Sequence, residues 1–94
     1  MILVLDIGNT NVTMGVYDGE KLLFVSRLAT DRSHMEDQYM LDLRDILNIY
    51  GLSPDRIDGA AVSSVVPCVS TAYINAVRRL TGARVVCAGP DVKT

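Results

Sequence analysis

The sequence predicts an α/β fold, a mixed five-stranded sheet with helices in the order β-β-β-α-β-α-β. Three observations predict it. An unbroken apolar run, Ile2-Leu3-Val4-Leu5, leads into the polar, glycine-containing segment Asp6-Ile7-Gly8-Asn9-Thr10-Asn11. Period-two alternation holds as far as Leu28, and helical spacing replaces it from Ser33. Short apolar runs then return around Ala60-Ala61-Val62 and Val85-Val86-Cys87. A length of 94 residues bounds the chain to one domain.

Each element follows from its own pattern. Ile2 to Leu5, continued by Asp6-Ile7, reads as a central strand buried on both faces. Val12, Met14 and Val16 alternate with Thr13, Gly15 and Tyr17, as a strand requires. Asp18-Gly19 offers the positive φ of a tight hairpin, with Leu22 to Leu28 as the antiparallel partner. Met35, Tyr39, Met40, Leu43, Ile46, Leu47 and Tyr50 then form one helical stripe, which is core packing rather than a cofactor box. Ser33 and Glu36 match a capping box at its start, and Gly51 and Pro54 mark its end. Ile57 to Val65 is a strand, and Pro67 opens a second helix with Val69, Tyr73, Val77 and Leu80 on one face. Gly82 closes that helix, with Arg78 and Arg79 near its negative end, and Arg84 to Ala88 is the last strand. The first three strands form an antiparallel meander, while the two that follow helices lie parallel to the first. This is the ribonuclease-H-like arrangement. It ordinarily continues into another helix, so residues 1–94 are expected to form an incomplete lobe.

Composition narrows the function. Hydrophobic residues at 49% and a mean hydropathy of +0.25 exclude a disordered chain. Nine Lys and Arg against eleven Asp and Glu leave a net charge of −2, which gives no basic face for a nucleic-acid backbone. Cys68 and Cys87 have apolar neighbours, no CxxC spacing and no companion histidine, and are expected to be small buried thiols in a reducing compartment. The apolar N-terminal run stops at Asp6, too short for a membrane span and without the positive flank of a signal peptide, so a cytoplasmic location is expected.

The chemistry concentrates in Asp6-Ile7-Gly8-Asn9-Thr10-Asn11. Gly8 lets backbone approach a ligand, and successive N–H groups, the Thr10 hydroxyl and the Asn9 and Asn11 amides can donate to phosphate oxygens. An ionised Asp6 accepts only; its place is to hold Mg²⁺, through phosphate or water, against those oxygens. The plain alternative is a hairpin turn whose Asn and Asp side chains satisfy backbone groups.

That segment resembles the phosphate-binding motif of the type III pantothenate kinases, members of the acetate-kinase, sugar-kinase, Hsp70 and actin superfamily. The resemblance spans the chain. Arg27 through Tyr39 is similar to the family's Thr-Asp segment and acidic helix start, and Ser63-Ser64-Val65-Val66-Pro67 matches a further motif. Gly89-Pro90-Asp91-Val92-Lys93-Thr94 resembles a Gly-Pro-Gly-x-Lys-Thr stretch, with Asp91 in place of the glycine. The resemblance implies phosphorylation of pantothenate by ATP, the first step toward coenzyme A, with Mg²⁺ and a monovalent cation, K⁺ or NH₄⁺. It implies Asp6, Gly8, Asn9, Thr10, Asn11 and Thr13 as the ATP and phosphate residues, and a homodimer of two-lobed subunits. The family's general base, the aspartate of a Gly-Ala-Asp-Arg motif, falls beyond Thr94, so no catalytic residue is assigned here.

Other polar residues carry weaker signals. Ser63-Ser64 either lines the ligand crevice or caps the following helix. Thr30-Asp31 suits a loop before a capped helix, with substrate orientation as the alternative. His34 and Lys93 are expected to be solvated, with no Asp or Ser partner for His34 specified by spacing. A ribonuclease-H-type nuclease shares the strand order, but its two-metal chemistry needs a carboxylate at the end of the fourth strand, where Ser63 and Ser64 stand, and Asp58 lies at the wrong end. A nucleotide-binding module without turnover is the alternative from another class.

Overall fold

Residues 1–88 are described by a computed structural model. In order they form β1 (Ile2–Ile7), β2 (Asn11–Asp18), β3 (Lys21–Ala29), α1 (Glu36–Ile49), a 3-10 turn (Pro54–Arg56), β4 (Gly59–Ser64), α2 (Pro67–Thr81) and β5 (Arg84–Ala88). The predicted order of strands and helices is the observed one; the 3-10 turn is additional. The tail from Gly89 to Thr94, with Asp91 and Lys93, lies outside the described residues, as does the side chain of Cys68.

One mixed sheet has the order β3-β2-β1-β4-β5. β1 runs antiparallel to β2 and parallel to β4, and β4 runs parallel to β5. Leu3, Leu5 and Ile7 pair with Val16, Met14 and Val12, and all six are fully buried. They meet Tyr39, Leu43 and Leu47 of α1 and Val69, Tyr73, Ala76 and Val77 of α2 in one core cluster. Both helices therefore cover the same face of the sheet.

The other face contradicts an expectation. β1 was expected to be buried on both sides, yet exposed Ile2 and Asp6 alternate with buried neighbours, and Tyr17, Leu22, Val25 and Val86 are exposed as well. An unbroken apolar run encodes a strand with neighbours on both faces, and the described residues supply a layer on only one.

Local signals explain the remaining boundaries. Gly19 takes φ 62° at the β2–β3 turn, and a register shift between Val16 and Tyr17 precedes it. Pro67 opens α2, and Gly82 ends it at φ 67° with its N–H on the Arg78 carbonyl at 2.8 Å. The capping box of α1 is displaced from Ser33 and Glu36: Met35 is the N-cap, and its N–H donates to Gln38 Oε1 at 2.6 Å. Ser33 serves Asp31 instead, donating from its N–H at 2.9 Å and its hydroxyl at 2.5 Å. As a consequence Met35 leaves the core stripe, at 73% exposure. Tyr50 is also outside it, 48% exposed, though its ring stacks on Phe24 with centroids 4.0 Å apart. Cys87, expected to be buried, is exposed on β5, the strand at the sheet edge, where one flank has no neighbour among the described residues.

Candidate functional site

The β1–β2 connection is Gly8-Asn9-Thr10, at the end of the sheet where parallel β1 and β4 deliver their C-termini. In an open α/β sheet that rim is where ligands bind. Asp6 sits one residue from it with its carboxylate on the uncovered face, paired across the strands with Thr13 and Ser63. Thr13 in turn pairs with Arg27, so one row across the sheet reads Arg27, Thr13, Asp6, Ser63. Asp6 is exposed, and among the described residues no ion pair or hydrogen bond ties its carboxylate down.

The turn keeps some donors for itself and presents others. Gly8 N–H donates to Asn11 C=O at 2.9 Å, so among the successive N–H groups of this segment it is engaged within the turn. The glycine has a second reason to be there. Its φ is not positive, but a Cβ at this position would lie 3.2 Å from the Asn11 carbonyl oxygen, inside the turn. The backbone N–H groups of Asn9 and Thr10 have no hydrogen-bond acceptor among the described residues. Asn11 Nδ2 lies 3.4 Å from Thr10 Oγ1, which leaves the Thr10 hydroxyl proton free.

A second segment is fastened to this turn. Thr30, just past β3, donates from its hydroxyl to Gly8 C=O at 2.8 Å and from its N–H to Thr10 C=O at 3.0 Å. Arg32 Nη2 donates to Asn9 Oδ1 at 3.2 Å, which leaves the Asn9 NH₂ group pointing away from that contact. Thr30 is thus more than a loop residue, whereas Asp31 is a local organiser. Besides holding Ser33, its carbonyl accepts the Tyr39 hydroxyl. The two Ser33 hydrogen bonds, the hydroxyl first, hold the Asp31 carboxyl below its ordinary range, and His34 adds to that pull.

His34 is a correction. It was expected to be solvated without a carboxylate partner; its side chain is 29% exposed, with Nε2 3.1 Å from Asp31 Oδ2 and Nδ1 3.5 Å from Asp42 Oδ2. The chain turns back between β3 and α1, so carboxylates three residues before and eight after converge on one imidazole. Its ring also leans on Tyr39, which stacks on Tyr73 at 4.1 Å, where burial pushes the Tyr73 phenol far above its ordinary pKa. Arg79 of α2 reaches Glu36 at 2.5 Å and Asp37 at 2.6 Å, pinning the start of α1 and raising its own pKa through those two bonds, Glu36 first. The Arg32–Asn9 and Arg79–Glu36 pairs had no local sequence signal, because tertiary folding sets those partners, whereas Asp31 lies only three residues before His34.

Neither serine caps α2, whose N-cap is Val66 without a side-chain cap bond. Ser64 closes the β4–α2 corner, its hydroxyl accepting from Val66 N–H at 3.0 Å, while Ser63 stays on the open face beside Asp6. Among the described residues no three His, Cys, Asp or Glu side chains gather as a metal cage. A single open carboxylate beside a row of N–H and O–H donors fits Mg²⁺ held mainly through phosphate oxygens and water, rather than by protein alone.

A family model for type III pantothenate kinase matches residues 2–94. A type III pantothenate kinase of Syntrophotalea carbinolica is 38% identical over 94 residues, all of this chain and 37% of that protein. The chain spans 36–37% of the length of the curated relatives it matches. Solved structures agree on the fold. A ROK hexokinase from Thermus thermophilus superposes with a TM-score of 0.67 at 19% identity, over 94% of this chain and 33% of that one. RuvC from T. thermophilus, solved with a Holliday junction substrate, gives 0.63 at 18% identity, over 95% of this chain and 64% of that one. The likeness to the hexokinase and to RuvC alike is one of fold, and the sequence match across residues 2–94 decides the family: the chain belongs to the type III pantothenate kinase family.

Proposed function

We propose that residues 1–94 are the N-terminal, phosphate-binding lobe of an enzyme that transfers the γ-phosphate of ATP to pantothenate, giving 4'-phosphopantothenate at the start of coenzyme A synthesis. The carrying observation is the family match over residues 2–94, with the motif's side chains meeting at the C-terminal rim of β1. Asn9 and Thr10 offer two open backbone N–H groups, with the Thr10 hydroxyl and the Asn9 amide beside them. These donors suit a polyphosphate. Gly8 keeps the turn tight enough to aim them, and Asn11 stays at its base. Thr13 and Ser63 flank Asp6 and present hydroxyls on the same face.

Asp6 is the residue that would hold Mg²⁺, which neutralises charge on the phosphates when bound. Phosphoryl transfer relies on positioning and charge neutralisation around an in-line path. This lobe supplies one wall of such a site. The opposing wall and the general base belong, by the family resemblance, to sequence beyond Thr94. The same resemblance supports a K⁺ or NH₄⁺ requirement, a homodimer and a cytoplasmic location; no helix among the described residues is long and apolar enough to cross a membrane.

Pantothenate-dependent release of ADP tests this reading. The full-length protein carrying this chain should show it, and the 94-residue chain should not. Turnover by the 94 residues alone would refute the placement of the base, and a full-length protein inert toward pantothenate would refute the substrate.

A further inference from the structure

Arg32 stands apart from the other cationic side chains near the site. Arg27 lies in the sheet row two strands from Asp6, and Arg79 is spent on Glu36 and Asp37. Arg32 is exposed, has no carboxylate within ion-pair distance among the described residues, and directs Nη2 at Asn9 Oδ1. Its neighbour Asp31 does not neutralise it, because that carboxylate is engaged by Ser33 and His34. The backbone before it is fixed by the two Thr30 bonds to Gly8 and Thr10. An uncompensated guanidinium is thus held against the turn by a short, doubly anchored segment. It has five N–H donors, and the Asn9 contact uses one nitrogen.

We propose that Arg32 is a nucleotide-phosphate ligand of this kinase lobe, its free N–H groups completing the donor set of the β1–β2 turn while its bond to Asn9 keeps the Asn9 NH₂ group facing the same phosphates. The inference rests on the phosphate-turn reading above and extends it to a residue outside the turn. One feature favours phosphate over a carboxylate ligand: the guanidinium sits against the turn that carries the open Asn9 and Thr10 N–H groups, so side-chain and backbone donors together face a ligand with more acceptor oxygens than a carboxylate has. The contact also has a direction: with its oxygen held by Arg32, the Asn9 amide turns its NH₂ group away from that side, so Arg32 orients Asn9.

Calorimetric binding to the full-length protein tests this, with the non-hydrolysable analogue β,γ-imido-ATP and with adenosine, which has no phosphate. Arg32→Ala should weaken the analogue about tenfold, the low end of what a hydrogen bond to a charged group contributes, and leave adenosine unchanged. Arg32→Lys should recover part of the loss, since charge returns without the fork. Asn9→Ala should weaken the analogue less in the Arg32→Ala background than in the wild type, because the pair is coupled. Steady-state kinetics should show a raised KM for ATP with KM for pantothenate unchanged. Unchanged analogue affinity, an equal loss for adenosine and the analogue, or a change confined to the pantothenate KM would each overturn the proposal. Wild-type protein that binds the analogue but does not phosphorylate pantothenate would sink the kinase reading alone. Protein that binds no nucleotide would sink both.

Discussion

The bond from Thr30 Oγ1 to Gly8 C=O, 2.8 Å long and partly buried, is the clamp between the β1–β2 turn and the segment that carries Arg32. Thr30→Val tests it with almost no change of shape: a methyl replaces the hydroxyl, and the backbone bond from Thr30 N–H to Thr10 C=O at 3.0 Å is retained. One hydrogen bond is lost and one carbonyl loses its donor. A fully dry carbonyl would make this worth as much as about 3 kcal/mol, but the group is only partly buried and water can replace the hydroxyl, so about 1 kcal/mol is expected. For a domain of this size that corresponds to a fall in Tm of about 4–8 °C, read by circular dichroism on the 94-residue chain. Thr30→Ser keeps the hydroxyl and should retain most of the stability. In the full-length protein Thr30→Val should also weaken nucleotide binding, since the turn loses its brace, while KM for pantothenate holds. A Val variant that melts with the wild type, or a Ser variant that falls as far as the Val variant, would show that the bond braces nothing.

Two further outcomes follow from the same geometry. Asp6→Asn in the full-length protein should lower turnover by orders of magnitude, yet change the melting temperature little, because Asp6 is exposed and unpaired and surface substitutions of that kind stay within about 0.5 kcal/mol; retained turnover would remove Asp6 from the phosphate site. The Asp31 carboxyl has a folded pKa below its ordinary value of 3.8, so its contribution to loop order is complete above that value and fades as pH falls through the lower, folded pKa. Ser33→Ala removes the leading cause, and the Asp31 titration followed by carbon-detected NMR should move up toward the ordinary carboxyl range; an unmoved midpoint would mean that Ser33 does not set it.

Much of this was legible in the sequence because it is written at short range. Period two marks β2 and β3, while Pro67 and Gly82 bracket α2 through fixed φ and left-handed tolerance, properties of single residues. The composition of the Asp6-to-Asn11 segment points to the rim where the structure places it. The start of α1 was misplaced by a competition visible only in three dimensions. Ser33 can cap a helix or bond a nearby carboxylate, and Asp31 two residues earlier takes it. Long-range polar pairs leave no periodic trace. Arg32 and Asn9 are 23 residues apart, and Arg79 and Glu36 are 43 apart. The uncovered sheet face was hidden for a related reason, since the apolarity of Ile2 and Val4 specifies burial without naming what buries them.

The fold by itself leaves two chemistries open, because the ribonuclease-H-like strand order serves nucleases as well as kinases. The difference lies in what stands beside the carboxylate of β1. Two-metal hydrolysis of a phosphodiester needs carboxylates that converge to hold a pair of cations about 4 Å apart. The position across from Asp6 on β4 is Ser63, and the nearest acidic residue of that strand's approach, Asp58, lies at the opposite end, bound to the Met1 amino group. Among the described residues that rim offers a single carboxylate, which cannot hold such a pair. It can hold one cation against a polyphosphate whose remaining charge is met by N–H groups, and Asn9, Thr10 and Arg32 provide those donors at the same rim. Replacing Ser63 with Asp would therefore not create a nuclease. On the proposed reading it would place a second negative charge beside Asp6 where phosphates approach, and so weaken nucleotide binding.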